Sequence, residues 1–143
     1  MRRTFLYLAV ACIAGLLTFV SLVWAGTCSQ SFLGERYLQF SWSGNGTIAC
    51  NSTSRLDGQL LWVETLPTGS PTTDYDIALT SSEGRNLMGG ATVDRHTSAI
   101  EIVQPKIGAS TVTSLPVNGI VTMTITNQNV NAASGKVRLY FIK

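Results

Sequence analysis

The stretch Asp74-Tyr75-Asp76-Ile77-Ala78-Leu79-Thr80-Ser81-Ser82-Glu83-Gly84-Arg85-Asn86-Leu87-Met88-Gly89-Gly90 decides the fold class. Tyr75, Ile77 and Leu79 alternate with Asp76, Ala78 and Thr80, the period of two that belongs to a strand with one buried face. Ser81-Ser82-Glu83-Gly84 breaks the run, and Gly84 can take the positive φ of a tight turn. Leu87 and Met88 form a short apolar arm that Gly89-Gly90 ends. The segment reads as a β-hairpin with Tyr75, Ile77 and Leu79 on its inward face. A lone hairpin is marginal in water, so other strands must cover that face.

Composition supports the same class. The chain of 143 residues has room for one domain and a modest core. Charged residues are sparse, while Thr, Ser, Gly, Val and Ile are plentiful, as in β-proteins with many turns. The formal charge of +2 includes Arg2 and Arg3; without them eight basic and eight acidic residues remain. A neutral domain lacks the concentrated positive surface that phosphate backbones require, which argues against a nucleic-acid partner.

The N-terminus carries a targeting signal. Arg2-Arg3 precedes an uncharged run from Thr4 to Ala25, rich in Leu, Val, Ala and Phe, that ends in Val23-Trp24-Ala25. Small residues at alternate positions there suit signal peptidase, with cleavage after Ala25. Residues 1–25 are thus a signal peptide, the competing reading being an uncleaved helical anchor long enough to cross a bilayer. Residues 26–143 form the domain, and any membrane contact runs through the N-terminal segment. Thr27 before Cys28 makes a poor lipoprotein signal. Cys12 lies in the apolar run, which leaves Cys28 and Cys50 as an even pair. In an oxidising compartment they can close a loop worth roughly 3 kcal/mol by chain entropy; two unpaired thiols are the alternative.

In chain order, Gly26 to Glu35 reads as a loosely held lead-in. Tyr37 to Trp42 alternates bulky and polar residues as a strand, and Ser43-Gly44-Asn45-Gly46 is a turn cluster. Thr47 to Cys50 is a short return strand. Leu56 to Leu66 is the next strand, with Leu60, Trp62 and Glu64 on one face and Leu61, Val63 and Thr65 on the other. Pro67 to Thr73 reads as a loop unable to sustain a ladder. Beyond the hairpin come a polar excursion from Ala91 to Ser98 and a strand from Ala99 to Val103 stopped by Pro105. A loop with a short strand near Val112 follows. Gly119 to Thr126 turns Val121, Met123 and Ile125 to one face; Asn127 to Gly135 is a turn, and Lys136 to Lys143 closes the chain as a strand. Seven to nine short strands point to an antiparallel β-sandwich of jelly-roll or immunoglobulin-like type, with the last strand beside its sequence neighbour.

Catalytic chemistry is thin. His96 is the only histidine, and no Gly-x-Ser-x-Gly elbow accompanies it. Asp74 and Asp76 lack the spacing and closing Glu of a calcium loop and suit a turn cap. Gly89-Gly90 lacks the Lys and helix of a phosphate loop. These residues provide no catalytic, metal or cofactor site. Asn45-Gly46-Thr47 and Asn51-Ser52-Thr53 fit the glycosylation sequon, which matters only in a eukaryotic secretory route. Trp42 and Trp62 can line a carbohydrate site, although core packing is the commoner use of strand aromatics.

Thr73 to Thr80, Glu83-Gly84, Leu87 to Gly90 and Asp94-Arg95 together resemble a segment of small proteins encoded among tailed-bacteriophage structural genes. The segment there resembles "TDxYDxxLTDxxGxDxLxG…R", followed by a Pro-bearing strand and a C-terminal hairpin with a Gly turn. Pro105, Val117 to Thr126 and Ser134 to Val137 are similar in kind and order, and Ser41-Trp42 and Gly58 to Pro67 also look alike. Asn86 stands where that pattern has an acidic residue. The resemblance implies a virion-associated structural protein of head, neck or tail, acting by self-association or by contact with other virion proteins. The alternative is an exported bacterial binding or adhesion module that meets cell-surface proteins; an exported hydrolase is a third reading, without a convergent set of polar residues behind it.

Overall fold

The structure, a computed structural model, describes residues 26–69, 71, 73–128 and 133–142. The apolar run to Ala25, with Cys12 and the cleavage position, lies outside the described residues, as does Lys143. Eleven strands and no helix occur among the described residues. They are β1 (Thr27–Phe32), β2 (Tyr37–Ser43), β3 (Ile48–Asn51), β4 (Leu56–Gly69), β5 (Asp76–Ser81) and β6 (Glu101–Val103). β7 (Lys106–Ile107), β8 (Ser110–Thr111), β9 (Leu115–Gly119), β10 (Val121–Thr126) and β11 (Ser134–Ile142) follow. The count exceeds the expected seven to nine because β1 forms within the expected lead-in, β7 and β8 make a two-residue-per-arm hairpin in place of one short strand near Val112, and β9 is a strand outside those expected.

The large sheet runs β1-β2-β11-β4-β6, with β9 also on β4; the small sheet runs β3-β10-β5. All pairs are antiparallel. Leu38, Phe40 and Trp42 of β2 and Val137, Leu139 and Phe141 of β11 point to one core. Ile77 and Leu79 of β5 and Val121, Met123 and Ile125 of β10 join that core from the small sheet, with Tyr75 just before β5. Alternation explains these assignments, since each inward residue has a polar or half-exposed neighbour on either side.

Four expectations are corrected by this topology. Gly26 to Glu35 is no loose lead-in: β1 pairs with β2 over six consecutive residues. The backbone ladder and a disulfide hold it, so its side chains need no apolar period. Pro67 to Thr73 is not all loop, because β4 continues to Gly69 and Pro67 lies opposite Gly135. Thr68 is an extra residue there, and a bulge tolerates the N–H that proline lacks.

A second bulge corrects the facing of β4. Trp62 pairs with Tyr140 but Leu60 pairs with Phe141, so Leu61 is inserted. The insertion shifts the phase: Leu60 and then Val63 and Thr65 point inward, while Trp62 and Glu64 point outward. The last strand is corrected too. β11 pairs with β2 and β4, not with β10, whose two sides are taken by β3 and β5. The chain changes sheet between β9 and β10 at Gly119, whose φ of 112° excludes most side chains. A Cβ there would also come within 2.6 Å of Ser82 Oγ.

Candidate functional site: the β1 edge and the outer face of the large sheet

Cys28 of β1 and Cys50 of β3 form a disulfide, with Cα atoms 5.7 Å apart. It joins the end strand of the large sheet to the end strand of the small one. Gln30, two residues on, donates from Nε2 to Thr53 Oγ1 at 2.6 Å. The strand is therefore fixed by one cross-sheet bridge and by one tie to the loop after β3. Its lateral edge pairs with no strand among the described residues. Ser29, Ser31, Phe32 and Leu33 are exposed, Phe32 by 45% and Leu33 by 44%, which makes this an apolar-tipped edge.

The outer face of the same sheet carries an ordered row. Tyr37, Tyr140 and Trp62 stand opposite one another on β2, β11 and β4. Tyr140 stacks on Trp62 with centroids 4.1 Å apart and planes at 16°, and Tyr37 meets Tyr140 at 4.6 Å. In the next row Arg138 donates from Nε to Gln39 Oε1 at 2.9 Å and from Nη1 to Glu64 Oε2 at 3.0 Å. Both rows are half-buried except Gln39, which lies beneath Arg138. Exposed Arg36 donates to Tyr140 Oη at 3.5 Å, a bond that holds its guanidinium above the ordinary arginine value. Such a face presents aromatic surface beside a fixed guanidinium, on strands that cannot easily rearrange. Trp62 is the part of it that sequence singled out; Tyr37, Arg138 and Tyr140 were missed. Counting alternate residues back from Phe141 would have put Arg138 and Tyr140 on the outside.

Trp42, the other tryptophan considered for a sugar site, is not on this face. It is buried, meets Tyr75 at 5.4 Å, and covers Gly135, where a Cβ would come within 2.9 Å of the indole. Tyr75, Ile77 and Leu79 are buried, and Gly84 has φ 79°. Burial pushes the Tyr75 phenol up to about 12, offset in part by the Thr65 hydroxyl. Neither hydroxyl makes a hydrogen bond of ordinary geometry among the described residues. The chain does fold back after Gly84: Ser81 N donates to Arg85 O and Leu87 N to Leu79 O. The returning arm forms a single bridge, Thr80 to Asn86, while the strand that lies along β5 is β10.

His96 is occupied locally. Its Nδ1 accepts from Ala99 N at 2.9 Å and Ser98 N at 3.1 Å, closing a turn before β6. Glu101 accepts from His96 N and pairs with Arg95 at 3.4 Å. Asp76 ties two loops, accepting from Asp94 N at 2.8 Å and from Asn127 Nδ2 at 2.6 Å. Asp76 thus links β5 to loops 18 and 51 residues away in sequence. No group of three or more His, Cys, Asp or Glu side chains is placed to hold a metal among the described residues. No helix among them is long and apolar enough to cross a membrane, which says nothing of strands.

No protein-family model matches the chain, and no curated protein matches it significantly. The Cys28–Cys50 bond itself points to an oxidising environment, extracellular or periplasmic.

Proposed function

We propose that the protein is a non-enzymatic, exported β-sandwich module that works by assembly, through contacts with copies of itself and with other proteins. The observation that carries this reading is the open end of the large sheet. β1 is held in place by a disulfide, yet its lateral backbone groups have no strand to pair with among the described residues. An edge kept rigid and unpaired is a template for another strand. The N-terminal apolar run, read as a signal peptide cut after Ala25, supplies the route to a compartment where the disulfide forms. The residues from Thr73 to Arg95 that resemble phage structural proteins favour the virion as the setting, in head, neck or tail.

A second reading, an exported bacterial binding or adhesion module, is favoured by the Trp62–Tyr140–Tyr37 row and its neighbouring Arg138. Aromatic rings beside fixed hydrogen-bond donors suit a surface ligand at least as well as a packed assembly. Fractionation of the native source decides between the settings. Protein in purified particles at a fixed ratio to their main component supports the virion reading. Protein confined to the periplasm, cell surface or medium supports the second. Intact mass of the same material tests processing: a mass that retains Met1 to Ala25 would overturn cleavage.

A further inference from the structure

Resting on the assembly reading, we propose that β1 pairs antiparallel with β1 of a second copy about a two-fold axis that runs between the two Gln30 residues. The edge is unguarded. Thr27-Cys28-Ser29-Gln30-Ser31-Phe32 contains no charge and no proline, and its register with β2 is unbroken. Proteins ordinarily blunt such edges with Lys, Pro or a bulge. The opposite end of the sheet contrasts with it: β6 has only three residues, contains Glu101, and is followed by Pro105 two residues on.

The occupant follows from parity. Directly opposed residues in a continuous sheet lie on one face, so a two-fold pairing of β1 with itself must be centred on a residue. Cys28, Gln30 and Phe32 lie on the inner face, paired with Trp42, Phe40 and Leu38, while Ser29 and Ser31 lie on the outer. Centring on Gln30 sets Cys28 against Phe32 of the second copy and Ser29 against its Ser31. Exposed Phe32 then lies over the second copy's Cys28–Cys50 bridge, and exposed Leu33 lies beside its Thr27. Both copies cover their apolar tip this way, and no like charges meet. Centring on Ser29 instead places Phe32 opposite Gly26, past the start of the strand, and covers less. Of these two registers, the one centred on Gln30 is the one in which a second copy covers the apolar tip.

The register has a charge test. Ser29 and Ser31 are exposed and make no side-chain hydrogen bond among the described residues, so changing them should leave the fold intact. Protein exported to the periplasm of an expression host, its disulfide verified by mass, is compared by sedimentation over a range of concentrations. Wild type should associate to a dimer. Ser29→Lys/Ser31→Lys opposes lysines at both symmetry-related pairs and should weaken association by about tenfold or more. Ser29→Lys/Ser31→Glu opposes Lys and Glu at the same pairs and should restore it. A wild-type dimer indifferent to the double lysine, or a Lys/Glu variant as weak as Lys/Lys, would overturn the β1 register while leaving self-assembly standing. A wild type that stays monomeric at every concentration overturns the two-fold pairing outright; fractionation with other proteins would then still support assembly with different partners.

Discussion

Removing the Cys28–Cys50 bridge tests how β1 is held. The two cysteines are 22 residues apart. Closing a loop of that length in the unfolded chain corresponds to about 3.4 kcal/mol of chain entropy at 25 °C. For a domain of this size each kcal/mol moves the melting temperature by about 4 °C, so the loss amounts to roughly 14 °C. Cys28→Ser/Cys50→Ser avoids the reactive single thiol that either change alone would leave. Urea unfolding followed by tryptophan fluorescence gives the free energy and the slope together.

A second outcome is open to the same variant and is distinguishable. β1 is a terminal strand joined to the core by the bridge, by Gln30–Thr53 and by the ladder to β2. Should it detach before the rest unfolds, global stability will fall less than the entropy figure, while exchange of the β1 amides accelerates. Either a loss near 3 kcal/mol or selective deprotection of β1 fits the bridge as a staple. A variant within about 1 kcal/mol of wild type, with β1 amides still protected, would refute it.

Other changes probe the core and its register. Ile77→Asp places an unpaired charge among fully buried side chains and should prevent folding, whereas Thr80→Asp, half-exposed opposite Thr122, should be mild. Gly84→Val should fall between them at about 1–3 kcal/mol, since φ 79° resists a β-branched residue while no atom crowds the site. Thermal melts give the order, and a normal Ile77→Asp beside a collapsed Thr80→Asp would reverse the inward list. Gly135→Ala should cost about 1–3 kcal/mol and shift the tryptophan emission, because its methyl meets the Trp42 indole at 2.9 Å. Tyr75, raised from 10.0 to about 12 by burial, should confer stability that is full below pH 10 and lost as pH rises through 12. The loss is on the order of 2–3 kcal/mol; Tyr75→Phe should flatten that part of the alkaline limb in pH-dependent urea melts.

Periodicity made some segments legible and others not. β10 was readable because Val121, Met123 and Ile125 alternate with threonines over an unbroken ladder. β4 was readable as a strand but not in its facing, because the Leu61 insertion changes phase without changing composition. Partner choice was the least legible: β9 and β10 are adjacent in sequence yet lie in different sheets, and the switch rests on Gly119. A glycine that permits a corner looks in sequence like a glycine that permits any other turn. The outer aromatic row suffered from the same bulge, since placing Trp62 beside Tyr140 needs the shifted phase.

β1 was misread for a reason that bears on what it does. A strand buried by its side chains must alternate, because each inward position has to be apolar. β1 is secured instead by backbone pairing along one side, a disulfide and one glutamine, so most of its positions are released from that constraint. The released positions, Ser29 and Ser31 outside and Phe32 at the tip, are the ones available for contact with another molecule. If burial held this strand, substituting them would unfold it; if contact selected them, substitution would spare folding and change association. Measuring stability and sedimentation on the same Ser29→Lys/Ser31→Lys protein separates the two. Unchanged melting at concentrations where the wild type is monomeric, with weakened association above them, is the expected pairing, since dimerisation itself raises the melting temperature. A fall at the lower concentrations comparable to that of the cysteine variant would show that these serines serve the fold.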